Sequence, residues 1–267
     1  MSVTFILDAS SLFYRAYHAS KERPTFTKEG VPNAAVNLLR TMIARLTREH
    51  KPDFMVAACD SETPTFRSVL YPQYKAQRSK PEPFYTAQRD GFREVLWPMP
   101  IYQQNGYEAD DIIGTLCHHI LKDSDVVIVS GDKDMAQLVS VSQDLGEVRF
   151  LNTNVNKILN MRGVLEEYGV WPHQVTDYLA LVGDVSDNVP GASGVGPLGA
   201  LAILKQFRNV EEAIARAGEI ECARWRHAVQ DSRDAILLSK KLVTIDCDVP
   251  IMDVLIMTHA EGWTKGE

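Results

Sequence analysis

The sequence predicts an α/β fold: a parallel sheet covered by helices on both faces, followed by a smaller helical module. Three observations predict it. Short apolar runs at residues 3–7, 54–59 and 125–130 have the length and composition of buried parallel strands. Stretches with apolar residues at helical spacing separate most of the strands, and strand–helix alternation is the pattern of a parallel sheet. From about Pro172 the texture changes to helices and glycine-rich turns.

Each element has its own signal. Val3-Thr4-Phe5-Ile6-Leu7 is the first strand, and Asp8 ends it. Ser10-Ser11 opens a helical stretch through Ala19. Residues 32–49 carry Val36, Leu39, Ile43 and Leu46 at helical spacing. The second strand ends at Asp60. Residues 71–90 are rich in Pro, Lys, Arg and Gln and weakly periodic, which predicts a mobile segment over the site. The strand at 125–130 runs into Gly131-Asp132, and 147–151 is a further strand. Residues 188–196, Asn-Val-Pro-Gly-Ala-Ser-Gly-Val-Gly, hold too many breakers for a regular element, and 198–207 is again helical. The expected division is 1–171 for the α/β core and 172–267 for the helical module packed on it.

Composition narrows the class. A chain of 267 residues, 45% hydrophobic and 24% charged, suits one large domain or one with a small companion. No apolar run approaches the length of a bilayer-spanning helix, and Met1 leads almost at once into the first strand. The expectation is a cytoplasmic protein (host cytoplasm for a phage protein) with no membrane partner. Cys59, Cys117, Cys222 and Cys247 are widely spaced, which argues against a zinc site or a disulfide framework. The net charge of −7 argues mildly against nucleic acid, but the acids are clustered. Two bound divalent ions would add about four positive charges there.

Those clusters carry the chemistry. Glu108-Ala109-Asp110-Asp111 puts three acids in four residues at the start of an apolar helix. Complementing the helix dipole explains one or two of them, and less well three directly before Ile112-Ile113. Asp132 and Asp134 flank Lys133 after a strand, and Asp184 and Asp187 precede the glycine-rich turn. Each pair alone reads as an ordinary polar loop or turn, and Asp8 and Asp60 alone as strand-end acids. Together they are harder to dismiss, because Asp8, Asp60 and Asp132 all follow strand ends, where open α/β sheets place their ligands. Carboxylates gathered without cations would repel one another. A site of carboxylates without Cys or His suits Mg²⁺ or Mn²⁺. The matching chemistry is phosphate-ester hydrolysis with two ions about 3.5–4 Å apart.

Basic and aromatic residues interleave at Arg67, Lys75, Arg78, Lys80 and Arg89 with Phe66, Tyr71, Tyr74, Phe84 and Tyr85. For most, a solvated loop with some core aromatics suffices. As a functional reading they form a platform for a DNA strand. Lys75 and Arg78, three residues apart, would share a helix face and stabilise charge at a scissile phosphate. The glycine-rich stretch 191–196 could offer backbone N–H groups to a phosphate.

The order of these motifs resembles the flap endonuclease and 5′-3′ exonuclease family, and the 5′ nuclease domain of bacterial DNA polymerase I in particular. The resemblance rests on residues 7–19, Thr65-Phe66-Arg67 with Tyr74-Lys75 and Arg78, 108–111, 131–139 and 183–191, and runs from about Phe5 to about Phe207. It implies a nuclease core with a helical arch near 71–90 and a helix-hairpin-helix-like DNA-binding module. It implies metal ligands at Asp8, Asp60, Glu108, Asp110, Asp111, Asp132, Asp134, Asp184 and Asp187. Lys75 and Arg78 match basic arch residues acting on the scissile phosphate. Arg67, Tyr74, Gly191, Gly194 and Gly196 fall at DNA-binding positions. The implied activity is 5′-to-3′ exonuclease and flap or overhang cleavage leaving a 5′-phosphate, with Mg²⁺ or Mn²⁺ as two ions and K⁺ at the glycine-rich turn. The implied partner is DNA with 5′ flaps, 5′ overhangs or duplex ends. The sequence leaves oligomeric state open, with a monomer as the default.

Departures from that pattern concern grip. Ala9 stands where the polymerase domain usually has glycine, and Ser61-Glu62-Thr63-Pro64 replaces a stretch that is often basic. Pro197-Leu198-Gly199-Ala200 lacks the lysine that usually follows the glycines, which predicts weaker duplex binding. The length is read as a free-standing nuclease, with a domain cut from a polymerase as the alternative. Two rival functions are a non-cleaving branched-DNA-binding protein and a small-molecule phosphatase with Asp8 as nucleophile. The phosphatase usually wants a second aspartate two residues on, where this chain has Ser10.

Overall fold

Apolar strands buried on both faces must lie in the middle of a layered fold, and the computed structural model shows how. It describes residues 2–142 and 144–251 and the backbone of Thr258–His259; the closing residues 260–267 lie outside the described residues. In chain order the elements begin with β1 (Ser2–Asp8), α1 (Ala9–Ser20), α2 (Ala34–His50) and β2 (Phe54–Ala58). Three short helices follow, α3 (Phe66–Leu70), α4 (Pro83–Thr86) and α5 (Arg89–Leu96), and then β3 (Ile101–Tyr102). Next come α6 (Ala109–Ile120), β4 (Ser124–Ser130), a 3-10 turn at Lys133–Leu138, β5 (Ser140–Ser142), β6 (Gly146–Asn152) and β7 (Lys157–Leu159). The rest is helical: α7 (Met161–Tyr168), α8 (Val175–Val182), α9 (Pro197–Gln206), α10 (Val210–Ala215), α11 (Ala223–Asp231) and α12 (Arg233–Val243). A two-residue strand, β8 (Thr258–His259), pairs with β2.

The sheet order is β3-β2-β1-β4-β6-β5, with β7 also on β6. β3, β2, β1, β4 and β6 pair in parallel, while β5, β7 and β8 run antiparallel. From β1 the chain moves to one side for β2 and β3, then crosses back to place β4 on the other side. That reversal opens a crevice at the carboxyl ends of β1 and β4, where α/β sheets bind ligands.

Alternation along β1 sends successive residues to opposite faces. Phe5 and Leu7 pack with Phe13, Leu39 and Ile43 of α1 and α2. Ile6 faces the other way, into a core with Ile112 and Leu116 of α6 that continues through Leu179, Ile203, Ile236 and Leu242 of the helical part. The main strands and helices fall within one or two residues of the sequence expectation. β3, β5 and β7 have no counterpart there, being too short to show a period. Residues 72–77 form turns, Arg78 lies at a bend and 79–82 form no regular element; Lys75 has φ +56°, which a right-handed helix forbids. The expected helix face shared by Lys75 and Arg78 is therefore replaced by a turn.

Candidate active site

Asp8 closes β1 and caps α1, its Oδ1 accepting the Ser11 N–H at 3.0 Å. Its Oδ2 accepts from Ser130 Oγ at 2.6 Å, across the crevice at the end of β4. Ser130 had a signal in the sequence: a small polar residue closing a buried strand beside an aspartate. Asp60, beyond β2, accepts the Ala109 N–H at 2.9 Å and so ties itself to the first turn of α6. That turn carries Glu108 and Asp110. Asp132 follows β4, and its Oδ1 accepts the Asp134 N–H at 2.9 Å. Three strand ends and one helix start thus bring Asp8, Asp60, Asp110, Asp132 and Asp134 to the crevice.

Asp184 and Asp187 come from the helical part. Residues 184 and 189 exchange backbone hydrogen bonds of 3.0 and 2.8 Å, folding a tight turn over the crevice. Gly183 and Gly191, with φ +74° and +65°, cross beneath it, and a Cβ on Gly191 would lie 2.6 Å from the Gly183 nitrogen. Lys133 Nζ donates to Asp184 at 2.6 Å. Lys75 Nζ donates to Glu108 at 2.7 Å and lies 3.6 Å from Asp187, which also accepts from Arg78. The Tyr74 hydroxyl donates to Glu108 at 3.1 Å.

The electrostatics follow from this crowding. Burial, together with the nearby Asp60 and Asp132 carboxylates, raises Asp8 to about 7 against the hydrogen bonds from Ser130 and Ser11. Burial and the Asp132 charge raise Asp110 and Asp134 well above the usual carboxylate range. Burial also raises Asp132. Asp184 is lowered, because Lys133 and Ser186 outweigh its burial. Burial opposes the Lys75 charge, yet Glu108, Tyr74 and Asp187 outweigh it and hold the ammonium well above its usual value.

The donor set fits a hard divalent cation. Asp134 Oδ1 is buried with no hydrogen-bond partner among the described residues, and a buried anionic oxygen without a donor is costly unless a cation faces it. The crowded groups are oxygen donors with raised proton affinity. Among the described residues no three of them enclose an ion unaided. Mg²⁺ keeps several waters and completes its shell with substrate oxygens, so an open acidic bowl is the matching geometry.

Four expected site residues are placed elsewhere. Arg67 is 2% exposed, so it offers no surface to DNA. Its five N–H groups are all used, on Leu242 O, Glu108, both oxygens of Asp111, and Thr244 O. Asp111 is fully buried and turned away from the bowl, its oxygens taken by Arg67 and by the N–H groups of Glu108 and Asp246. It is a brace rather than a metal ligand. Tyr74 is buried too, at 8% exposure, and braces Glu108 rather than presenting a stacking face. Gly191 gives its N–H to Ser239 Oγ at 2.9 Å, so it serves the backbone crossing instead of a phosphate. Gly194 and Gly196 are exposed, at the uncapped start of α9.

A parallel sheet with an acidic bowl at its switch point, and lysine and arginine lodged beside it, defines an α/β protein with a carboxylate centre suited to hard cations. Comparison with known proteins narrows this. The family model described as 5′-3′ exonuclease, N-terminal resolvase-like domain matches residues 3–169, and that for the 5′-3′ exonuclease C-terminal SAM fold matches 170–264. The chain belongs to the 5′-3′ exonuclease family. It is 35% identical over 255 residues to the 5′-3′ exonuclease of Aquifex aeolicus, covering 94% of this chain and 84% of that one. It is 36% identical over 250 residues to DNA polymerase I of Bacillus subtilis, covering 92% of this chain but 28% of the polymerase. Against DNA polymerase I of Caldicellulosiruptor bescii the chain likewise spans 31% of that length, at 34% identity. Among solved structures, T5 5′-exonuclease with bound zinc ions superposes with a TM-score of 0.76 at 22% identity, covering 91% of this chain and 90% of that one. The catalytic core of Rad2 in complex with DNA substrate gives 0.59 at 16% identity, covering 94% and 82%. These likenesses show the fold. Among the described residues no helix is long and apolar enough to cross a membrane.

Proposed function

We propose that the chain is a divalent-metal-dependent, structure-specific 5′ nuclease that hydrolyses DNA phosphodiesters at 5′ ends, overhangs and flaps and leaves a 5′-phosphate. The observation that carries this is the convergence of Asp8, Asp110, Asp132 and Asp134 at the switch point, with raised proton affinities and an unpartnered Asp134 oxygen. Family membership, a T5 relative with bound divalent ions and a Rad2 core bound to DNA support it.

Mg²⁺ or Mn²⁺, as two ions, would be held by Asp8, Asp60, Glu108, Asp110, Asp132, Asp134, Asp184 and Asp187, and would activate water and stabilise the leaving oxygen. The chain's own cations do the rest. Lys75 stays protonated beside Glu108 and faces the scissile phosphate as a fixed positive charge. Arg78, whose side chain is 54% exposed, turns from Asp187 to the phosphate. Ser130 and Ser11 fix the two Asp8 oxygens so that this carboxylate does not swing. In this reading 1–171 carries most of the chemistry, and the turn with Asp184 and Asp187 completes it from the helical part. Residues 172–267 grip the duplex, through Gly194, Gly196 and the start of α9, with K⁺ as the accompanying ion and a monomer as the working unit.

Cleavage of a 5′-labelled flap at low salt, with Mg²⁺ and then with EDTA, tests the proposal. Product near the flap junction only with Mg²⁺ is expected. Steady binding without product in both Mg²⁺ and Mn²⁺ overturns it in favour of a non-cleaving branch-binding protein.

A further inference from the structure

Lys75 and Arg78 lie on turns, so no helix aims them. A polar seam to the Asp184–Val189 turn does so instead. The Lys75 N–H donates to the Asp187 carbonyl at 2.9 Å. The Asn188 side-chain amide donates to the Gln73 carbonyl at 2.8 Å. The Gln77 amide spans the carbonyls of Val185 and Ser186, at 2.9 and 3.1 Å. Lys75 and Asn188 have φ of +56° and +57°, so each loop carries a left-handed residue at the seam. Neither amide binds a carboxylate, and both side chains are on the exposed rim. Their bonds contribute little to overall stability, yet they set the register between two segments that share no strand or helix.

We propose that Gln77 and Asn188 are positioning residues: their amides seat residues 73–78 on the Asp184–Val189 turn and so deliver Lys75 and Arg78 to the reacting phosphate. This rests on the proposed nuclease reading. The amides are neutral, so cations in the acidic bowl would leave the seam intact while competing with Lys75 and Arg78 for Glu108 and Asp187. Displacement of a charged group by about 1 Å is enough to cost roughly a hundredfold in rate.

The test compares the wild type with Gln77→Ala, Gln77→Glu and Asn188→Gly; the last keeps the left-handed backbone while removing the amide. Flap cleavage in Mg²⁺ is expected to lose about tenfold or more in kcat in each variant, with KM within about twofold, as for misplaced groups rather than lost binding. Gln77→Glu keeps the length without the donor and is expected to fall with Gln77→Ala. Limited trypsin digestion of the metal-free, DNA-free protein reads the seam directly: cleavage after Lys75 and Arg78 is expected to accelerate several-fold in all three variants. Wild-type kcat together with a wild-type digestion pattern overturns the proposal, and so does a rise in KM at unchanged kcat. Faster digestion in the variants, with a wild type that does not cut DNA, upholds the seam and overturns the nuclease reading instead.

Discussion

At the scale of single residues, two side chains define what the site tolerates. Asp8 has a folded-state affinity for its proton raised from 3.8 to about 7. A carboxylate raised on folding binds its proton more tightly in the native state. The metal-free protein therefore loses stability as pH rises from about 4 to about 7 and levels off above. Asp8→Asn removes that penalty: at pH 7.5 without divalent ions its unfolding free energy is expected to exceed the wild type's by on the order of a kcal/mol or more. At pH 4 the two should coincide, and a variant less stable at both would refute the sign. Arg67 makes the opposite case. Its guanidinium is matched to Asp111 and Glu108 in a buried network; Glu108 keeps Lys75, but Arg67→Ala leaves the fully buried Asp111 without its counter-charge. Chemical denaturation should show a loss of about 3–5 kcal/mol. A variant of unchanged stability that merely binds DNA less well would restore the surface role that the sequence pattern suggests.

At the scale of elements, the structure separates what periodicity can show from what it cannot. The three central strands are legible because a buried parallel strand is a continuous apolar run, and each run ends at an acid that the sheet edge then gathers. Most of the acidic bowl was legible for that reason. Burial of Arg67 was not, since a charged residue in a stretch of interleaved basic and aromatic residues reads as surface until its partners at Leu242 and Thr244, far along the chain, are known. The Lys75–Arg78 spacing misleads because three-residue spacing implies a shared helix face, and the backbone turns left-handed at Lys75. Helix α9 offers the test at this scale. Leu198, in its first turn, is 80% exposed, in the stretch where the family resemblance leads one to expect a lysine. Leu198→Lys is expected to tighten binding of duplex with a 5′ flap. It should also steepen the dependence of log affinity on log salt by about 0.9, the release of one counterion. An unchanged slope would place the duplex elsewhere on the molecule.

At the scale of the molecule, one face of the sheet and the helical part share a single core, running from Ile128 and Ile112 to Ile236 and Leu242. Urea unfolding followed by far-UV circular dichroism and by tryptophan fluorescence should therefore give coincident transitions, because Trp225 packs against that common core. Separated midpoints would show that the division near residue 171 is also an energetic one. The same continuity has a consequence for the order of synthesis. Arg67 needs the carbonyls of Leu242 and Thr244, and Asp111 needs the N–H of Asp246, before the acidic start of α6 is locked. A ribosome adds about 5–20 residues per second, N-terminal end first. The acids at 108–111 thus emerge about 7–27 seconds before the segment that fixes them. If the nuclease reading holds, a growing chain keeps its acidic centre unbraced until residues 242–246 have been made, and a copy cut short before them lacks the bonds that lock Arg67 and Asp111.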